Sequence, residues 1–173
     1  MINNVNLIVC CDANYGIGLN NRLPWKNSAE MTLFRSKTIG NKNNCVIMGR
    51  NTAKSIPKSK YPLKDRYNCV LSSTMKETHE KEHVVTSVDD LIKWIKNTEF
   101  DKYWVIGGKQ VYDLFLHHDK ISVNEIHISI LDETYECDTV FNSSVLEDYS
   151  LISSWRNIKE AGFTHYEYSK KKT

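Results

Sequence analysis

Only three prolines and seven glycines interrupt the 173 residues, too few for a low-complexity or linker-rich chain. No apolar run approaches the roughly 20 residues that span a bilayer, and no basic stretch followed by an apolar one stands at the N-terminus, so no membrane helix or signal peptide is expected. Excess charge of one sign is also lacking. The 23 Lys+Arg nearly balance the 21 Asp+Glu, and apart from Lys170-Lys171-Lys172 the basic residues are dispersed, which speaks against a nucleic-acid partner. The cysteines Cys10, Cys11, Cys45, Cys69 and Cys137 are odd in number, and four lie in apolar strand-like runs. Reduced, buried thiols in a cytoplasmic protein are expected, not a disulfide framework. The motif G-x-G-x-x-G is absent, which disfavours an ordinary Rossmann site. His79-Glu80-Lys81-Glu82-His83 does match H-E-x-x-H, but that pattern holds a metal only on a helix. Charged flanks and the strand-like Val84-Val85-Thr86 argue against one, so Lys76 to His83 reads as exposed and no metal site is expected.

What is present reads as one α/β domain over residues 1–173, since 40% hydrophobic residues at this length suffice for a core. Val5 to Cys11, Asn44 to Gly49, Tyr67 to Leu71 and Tyr103 to Ile106 are short β-branched or aromatic runs, expected as strands buried on both faces. Between them, Ser28 to Thr38, Arg50 to Ser55, Ser87 to Asn97 and Gln110 to Leu116 carry helical patterns, with Leu91, Trp94 and Ile95, then Val111, Leu114 and Phe115, facing inward. Glu125 to Leu131 is a further strand, and the tail holds two antiparallel strands. The expected architecture is a mainly parallel central sheet with an antiparallel C-terminal edge, flanked by helices. Asp12 to Arg22 reads as a loop, its Asn14, Gly16, Gly18, Asn20 and Asn21 tolerating positive φ.

Three features carry chemistry. The loop Gly16-Ile17-Gly18-Leu19 runs to a Leu23-Pro24-Trp25 corner and then to a helix expected to be amphipathic, on which Glu30 shares a face with Phe34, beside Met31. A carboxyl set among apolar residues has a raised pKa and handles protons; the plain alternative is an exposed helical glutamate. Met48-Gly49-Arg50-Asn51-Thr52 and Ile106-Gly107-Gly108-Lys109-Gln110 each take a strand through glycine into a helix, an arrangement that offers N–H groups to a pyrophosphate or serves only as a tight turn. Arg50, the hydroxyls of Ser72, Ser73 and Thr74, and Lys76 could receive the phosphate that distinguishes NADP from NAD. Arg66 could hold a carboxylate bidentately or form a surface ion pair with Asp65 or Glu77.

In their order and spacing these segments resemble the dihydrofolate reductases from about Val5 to Tyr168. The likeness extends through Ser55-Ile56-Pro57, Pro62-Leu63-Lys64-Asp65-Arg66, Val70-Leu71-Ser72, Val111-Tyr112 and Asp138-Thr139 with Phe141. The resemblance implies hydride transfer from NADPH to dihydrofolate, with Glu30 as the acid, Ser129 as the hydroxyl bonded to it, and Trp25 and Tyr112 beside the reacting groups. It implies a folate cleft of Ile8, Val9, Cys10, Met31, Phe34, Ile56, Leu63 and Ile106, with Arg66 on the substrate's carboxylate tail. For the cofactor it implies Cys10, Ile17, Gly18, Leu19, Gly49, Arg50, Asn51, Thr52, Leu71, Ser72, Ser73, Lys76 and Ile106, continuing through Gly107, Gly108, Lys109, Gln110, Val111 and Tyr112, with a cis Gly-Gly bond. A monomer in the cytoplasm, with dihydrofolate as its small-molecule substrate and neither nucleic acid nor membrane as partner, completes the expectation. Cys10 stands where the family has a small alanine, and Ala53 where a tryptophan is common. The other readings are a reductase of the same fold acting on the pyrimidine of riboflavin synthesis, and a catalytically silent nucleotide-binding protein. Glu30 and Arg66 favour folate over the first, and Glu30, Trp25 and Gly107-Gly108 argue against the second.

Overall fold

The apolar run at Val5 becomes the central strand of a computed structural model that describes residues 1–156 and 161–173. In chain order the elements are β1 (Ile2–Cys11), β2 (Gly16–Gly18), α1 (Ser28–Ile39), β3 (Cys45–Gly49), α2 (Arg50–Ser55), β4 (Tyr67–Leu71), β5 (Glu82–Val85), α3 (Val88–Lys96), β6 (Tyr103–Gly107), α4 (Lys109–His117), β7 (Ile121–Leu131), β8 (Thr139–Val140), a 3-10 turn (Ser143–Asp148), β9 (Tyr149–Trp155) and β10 (Phe163–Lys170). Eight strands form one sheet in the order β5-β4-β3-β6-β1-β7-β10-β9, and β2 pairs with β8 in a separate ribbon. From β5 to β7 all neighbours are parallel. Strand β10 runs antiparallel to both β7 and β9, so the expected antiparallel C-terminal edge is present.

Side-chain alternation along β1 sends successive residues to opposite faces of the sheet. Leu7, Val9 and Cys11 enter the larger apolar cluster with Val111, Tyr112 and Phe115. Ile8 enters a smaller one with Val46, Met48, Ala53, Val70 and Trp104. Cysteines 10, 11, 45, 69 and 137 are all free thiols.

Three expectations need correction. Asn14, Gly16 and Gly18 do not take positive φ; Tyr15, Asn20 and Asn21 do, while the two glycines belong to β2. What demands glycine at Gly16 is close packing, because a Cβ there would lie 2.5 Å from Cys137 Sγ. Helix α1 is not amphipathic in the expected sense, since its only buried side chains are Glu30 and Thr38 and Met31 is 47% exposed. The charged stretch from Lys76 to His83 is not wholly exposed: Glu82, the first residue of β5, is buried, accepting from the Tyr61 hydroxyl and the Thr78 amide. The inward faces of α3 and α4 are as expected: Leu91, Ile95, Val111 and Phe115 are buried, half-buried Trp94 and Leu114 pack against the same cluster, and Ile92 and Tyr112 join them.

Candidate active site

Parallel strands end along one edge of a sheet, and that is where α/β proteins place their ligands. Here the register sets Met48 against Gly107 and Gly49 against Leu71, so the glycine turns of β3 and β6 lie side by side with the end of β4. On the other side of the same edge, Cys10 of β1 pairs with Ser129 of β7. Helix α1 brings Glu30 to this second group. Its start is held by Asn27, whose Oδ1 accepts from the Glu30 amide at 3.0 Å and whose amide nitrogen donates to the Ala161 carbonyl at 2.6 Å.

Glu30 is only 8% exposed. Burial pushes its carboxyl up to about 7, and polar contacts from the Ser129 hydroxyl and the Cys10 thiol oppose the shift without cancelling it. The carboxyl is thus poised to exchange a proton near neutrality. Ser129 Oγ also lies 2.9 Å from Nδ1 of the fully buried His165. Trp25 contacts Cys10 and packs against Tyr135, their ring centroids 5.5 Å apart. Tyr112 is buried, its hydroxyl donating to the Ile8 carbonyl at 2.8 Å.

Phe34, Ile56, Leu63 and Ile106, all half-buried, lean on the apolar cluster that contains Ile8. These five predicted residues are brought together on one face. Val9 is not among them, because its side chain joins the opposite cluster. Beyond Phe34, Arg66 is 5% exposed. Its Nε donates to the Lys64 carbonyl at 2.8 Å and its Nη1 to Thr38 Oγ1 at 3.0 Å. Desolvation, then the neighbouring Arg35, pulls its pKa down to about 10. Among the described residues no carboxylate pairs with it, so neither Asp65 nor Glu77 supplies the surface ion pair.

At the two glycine turns, Gly49 caps α2 and Gly108 caps α4, neither helix having a side-chain cap. The Gly107-Gly108 peptide is cis and Gly107 has φ +130°. A Cβ on Gly107 would press to 3.3 Å from Thr52 Oγ1 and 3.4 Å from the Tyr112 hydroxyl. Ile17, Leu19, Thr52 and Leu71 are half-buried, and Gly18 is buried in β2; Arg50, Asn51, Ser73, Lys76 and Gln110 are exposed around the rim. Three of the expected residues are engaged within the protein. Ser72 Oγ accepts from the amides of Thr74 and Met75, Lys109 pairs with Asp113 at 3.3 Å, and Val111 is buried against Gly49.

Several residues of the site escape sequence reasoning. Asp12, buried, accepts from the amides of Asn14, Gly16 and Tyr135 and so ties the β2 loop to the segment after β7. Thr38 orients Arg66, and His165 backs Ser129. The signal for His165 is its place in the alternation Phe163, His165, Glu167, but its partners are set by strand pairing far along the chain.

Parallel strands that end in two glycine turns beside the buried carboxyl of Glu30 are the layout of an α/β enzyme. A model of the dihydrofolate reductase family matches residues 4–171, and the chain belongs to that family. It is 36% identical over 171 residues to dihydrofolate reductase from Rattus norvegicus, covering 91% of this chain and 89% of that one. It is 35% identical over 166 residues to the viral dihydrofolate reductase of Saimiriine herpesvirus 2 (strain 488), covering 89% and 76%. With dihydrofolate reductase from Schistosoma mansoni the identity is 39% over 145 residues, covering 79% and 77%. Family membership brings with it a nicotinamide cofactor in general terms. No helix among the described residues is long and apolar enough to cross a membrane.

Proposed function

We propose that residues 1–173 act as one reductase domain that converts 7,8-dihydrofolate to 5,6,7,8-tetrahydrofolate, with NADPH as hydride donor and Glu30 as the acid. The observation that carries this reading is Glu30 itself, a buried carboxyl with its pKa raised to about 7 beside the ends of the parallel strands. Reduction of the pterin C6–N5 double bond requires one hydride at C6 and one proton at N5, so a single acid suffices.

The residues fit a dinucleotide. Glycine turns on adjacent strands leave backbone N–H groups of α2 and α4 without side-chain caps, and Gly107 is packed too closely for a larger side chain without local adjustment. Exposed Arg50, Ser73 and Lys76 supply charge and donors for a 2′-phosphate, which favours NADPH over NADH. When bound, the nicotinamide supplies the hydride.

The remaining work belongs to the side chains. Ile8, Phe34, Ile56, Leu63 and Ile106 enclose the pterin and its aromatic linker and exclude water. Glu30 holds the pterin amino group and delivers or relays the proton to N5, while Ser129 and Cys10 hold its carboxyl in place. Arg66, buried and pre-oriented by Thr38 and the Lys64 carbonyl, receives the carboxylate of the glutamate tail, which a phosphorylated ribityl substrate lacks.

The test is to follow the reduced-nicotinamide absorbance after mixing folded protein with NADPH and dihydrofolate. Loss of absorbance that requires dihydrofolate supports the reading. Absence of turnover, or turnover only with a ribityl-pyrimidine substrate, overturns it.

A further inference from the structure

Two buried imidazole nitrogens face one carboxylate on the α1 side of the sheet. His127 of β7 pairs across the strands with Glu167 of β10, and Ser129 pairs with His165. His127 Nδ1 and His165 Nε2 each lie 3.5 Å from Glu167 Oε1, and both nitrogens are buried without a hydrogen-bond partner. The three atoms all fall within 4.8 Å of one another.

We propose that His127 Nδ1, His165 Nε2 and the Glu167 carboxylate form a site for one divalent transition-metal ion of the zinc class. Ligands bound about 2.1 Å from a tetrahedral ion stand about 3.4 Å apart, close to the 3.5 Å separation of each imidazole nitrogen from the carboxylate oxygen. Two imidazoles and a carboxylate are donors that suit zinc and leave a fourth position for water.

The backing of each ligand supports the assignment. The ring nitrogen of each histidine that points away from the cluster is already engaged, His127 Nε2 with Glu125 Oε2 at 2.7 Å and His165 Nδ1 with Ser129 Oγ at 2.9 Å. Such partners fix the ring orientation and tautomer of a metal-binding imidazole.

Lys37, from α1, donates to the same Glu167 oxygen and is the cation that a metal must displace. Its side chain is 22% exposed and that of Glu167 is 19%, so this side of the cluster opens to solvent and offers both an entry path and a place for the ammonium to move. The site therefore makes an unusual prediction, that removing a positive charge outside the donor set tightens metal binding.

The experiment titrates Zn²⁺ into untagged, metal-free protein by competition with a chromophoric chelator, with Co²⁺ as a spectroscopic probe and Mg²⁺ as a hard-ion comparison. One equivalent of Zn²⁺ should bind saturably, Co²⁺ should give the visible bands of a four-coordinate site, and Mg²⁺ should not compete. His165→Phe and Glu167→Gln should each weaken Zn²⁺ by at least about tenfold, and Lys37→Gln should strengthen it. His83→Gln, at a half-buried histidine beside Glu77 and away from the cluster, should leave binding unchanged. Glu167→Gln conserves shape, and circular dichroism with NADPH binding checks that each variant is folded. Absence of saturable binding to the wild type, retention of full affinity in folded Glu167→Gln, or an equal loss in His83→Gln overturns the proposal.

Discussion

The hydroxyl of Ser129 stands 2.9 Å from His165 Nδ1 and also contacts the carboxyl of Glu30, so one side chain of β7 joins the candidate acid to a fully buried imidazole. Because the Ser129 contact holds the Glu30 pKa down, Ser129→Ala should raise it further and move the basic limb of the turnover profile to higher pH. The same change leaves His165 Nδ1 without its partner, at a cost of about 1–3 kcal/mol in stability. A pH–rate profile and a urea titration check the two effects; an unshifted limb would show that the hydroxyl does not act on Glu30.

Glu30 also makes stability depend on pH. Its pKa is raised from 4.5 in the reference state to about 7 in the folded protein. Between those values the unfolded chain releases a proton that the folded chain keeps. The stabilisation from the retained proton is fully present below about pH 4.5 and is lost as pH rises through 7, amounting to about 3 kcal/mol at most. Glu30→Gln should therefore stabilise the protein relative to wild type by about 1–3 kcal/mol at pH 8 and much less at pH 4.5. Denaturant titrations at the two pH values decide it, and an equal difference at both would contradict the burial argument.

Arg66 is held from two sides, by Thr38 and the Lys64 carbonyl, with no carboxylate partner among the described residues. Arg66→Leu should raise the KM for dihydrofolate by about 10- to 100-fold and leave the KM for NADPH nearly unchanged. A pterin substrate without the carboxylate tail should not distinguish the variant from wild type. An equal rise for both substrates would place Arg66 in the scaffold alone.

At Gly107 the backbone has φ +130° and two polar atoms crowd the position of a Cβ. Gly107→Ala should cost about 1–3 kcal/mol and weaken NADPH binding, read by thermal unfolding and fluorescence titration. Wild-type behaviour in both would mean that the turn is not a cofactor contact.

Much of this was legible in the sequence. The buried runs at Val5 to Cys11, Cys45 to Gly49 and Tyr103 to Ile106 are short and β-branched or aromatic, and the glycine turns mark where two of these strands end. Helix α1 was harder to read. A helix that borders a cleft leaves Met31 exposed and Leu33 and Phe34 half-buried, while burying Glu30 and Thr38, which a pattern of apolar spacing assigns no special place. The His127, His165 and Glu167 cluster was hidden for a different reason. Its members are separated by strand pairings that local sequence does not encode, so each reads alone as an ordinary polar residue in a strand.

The role of Glu30 as the acid of dihydrofolate reduction is tested most directly by the pH dependence of kcat for wild type and Glu30→Gln with NADPH and dihydrofolate. Wild-type turnover should fall above a pKa near 7. The variant should lose about 10²- to 10⁴-fold at neutral pH, recover as free protons increase at lower pH, and bind NADPH as wild type does. Equal turnover by the variant at pH 7, or the same basic limb in both proteins, would contradict the assignment.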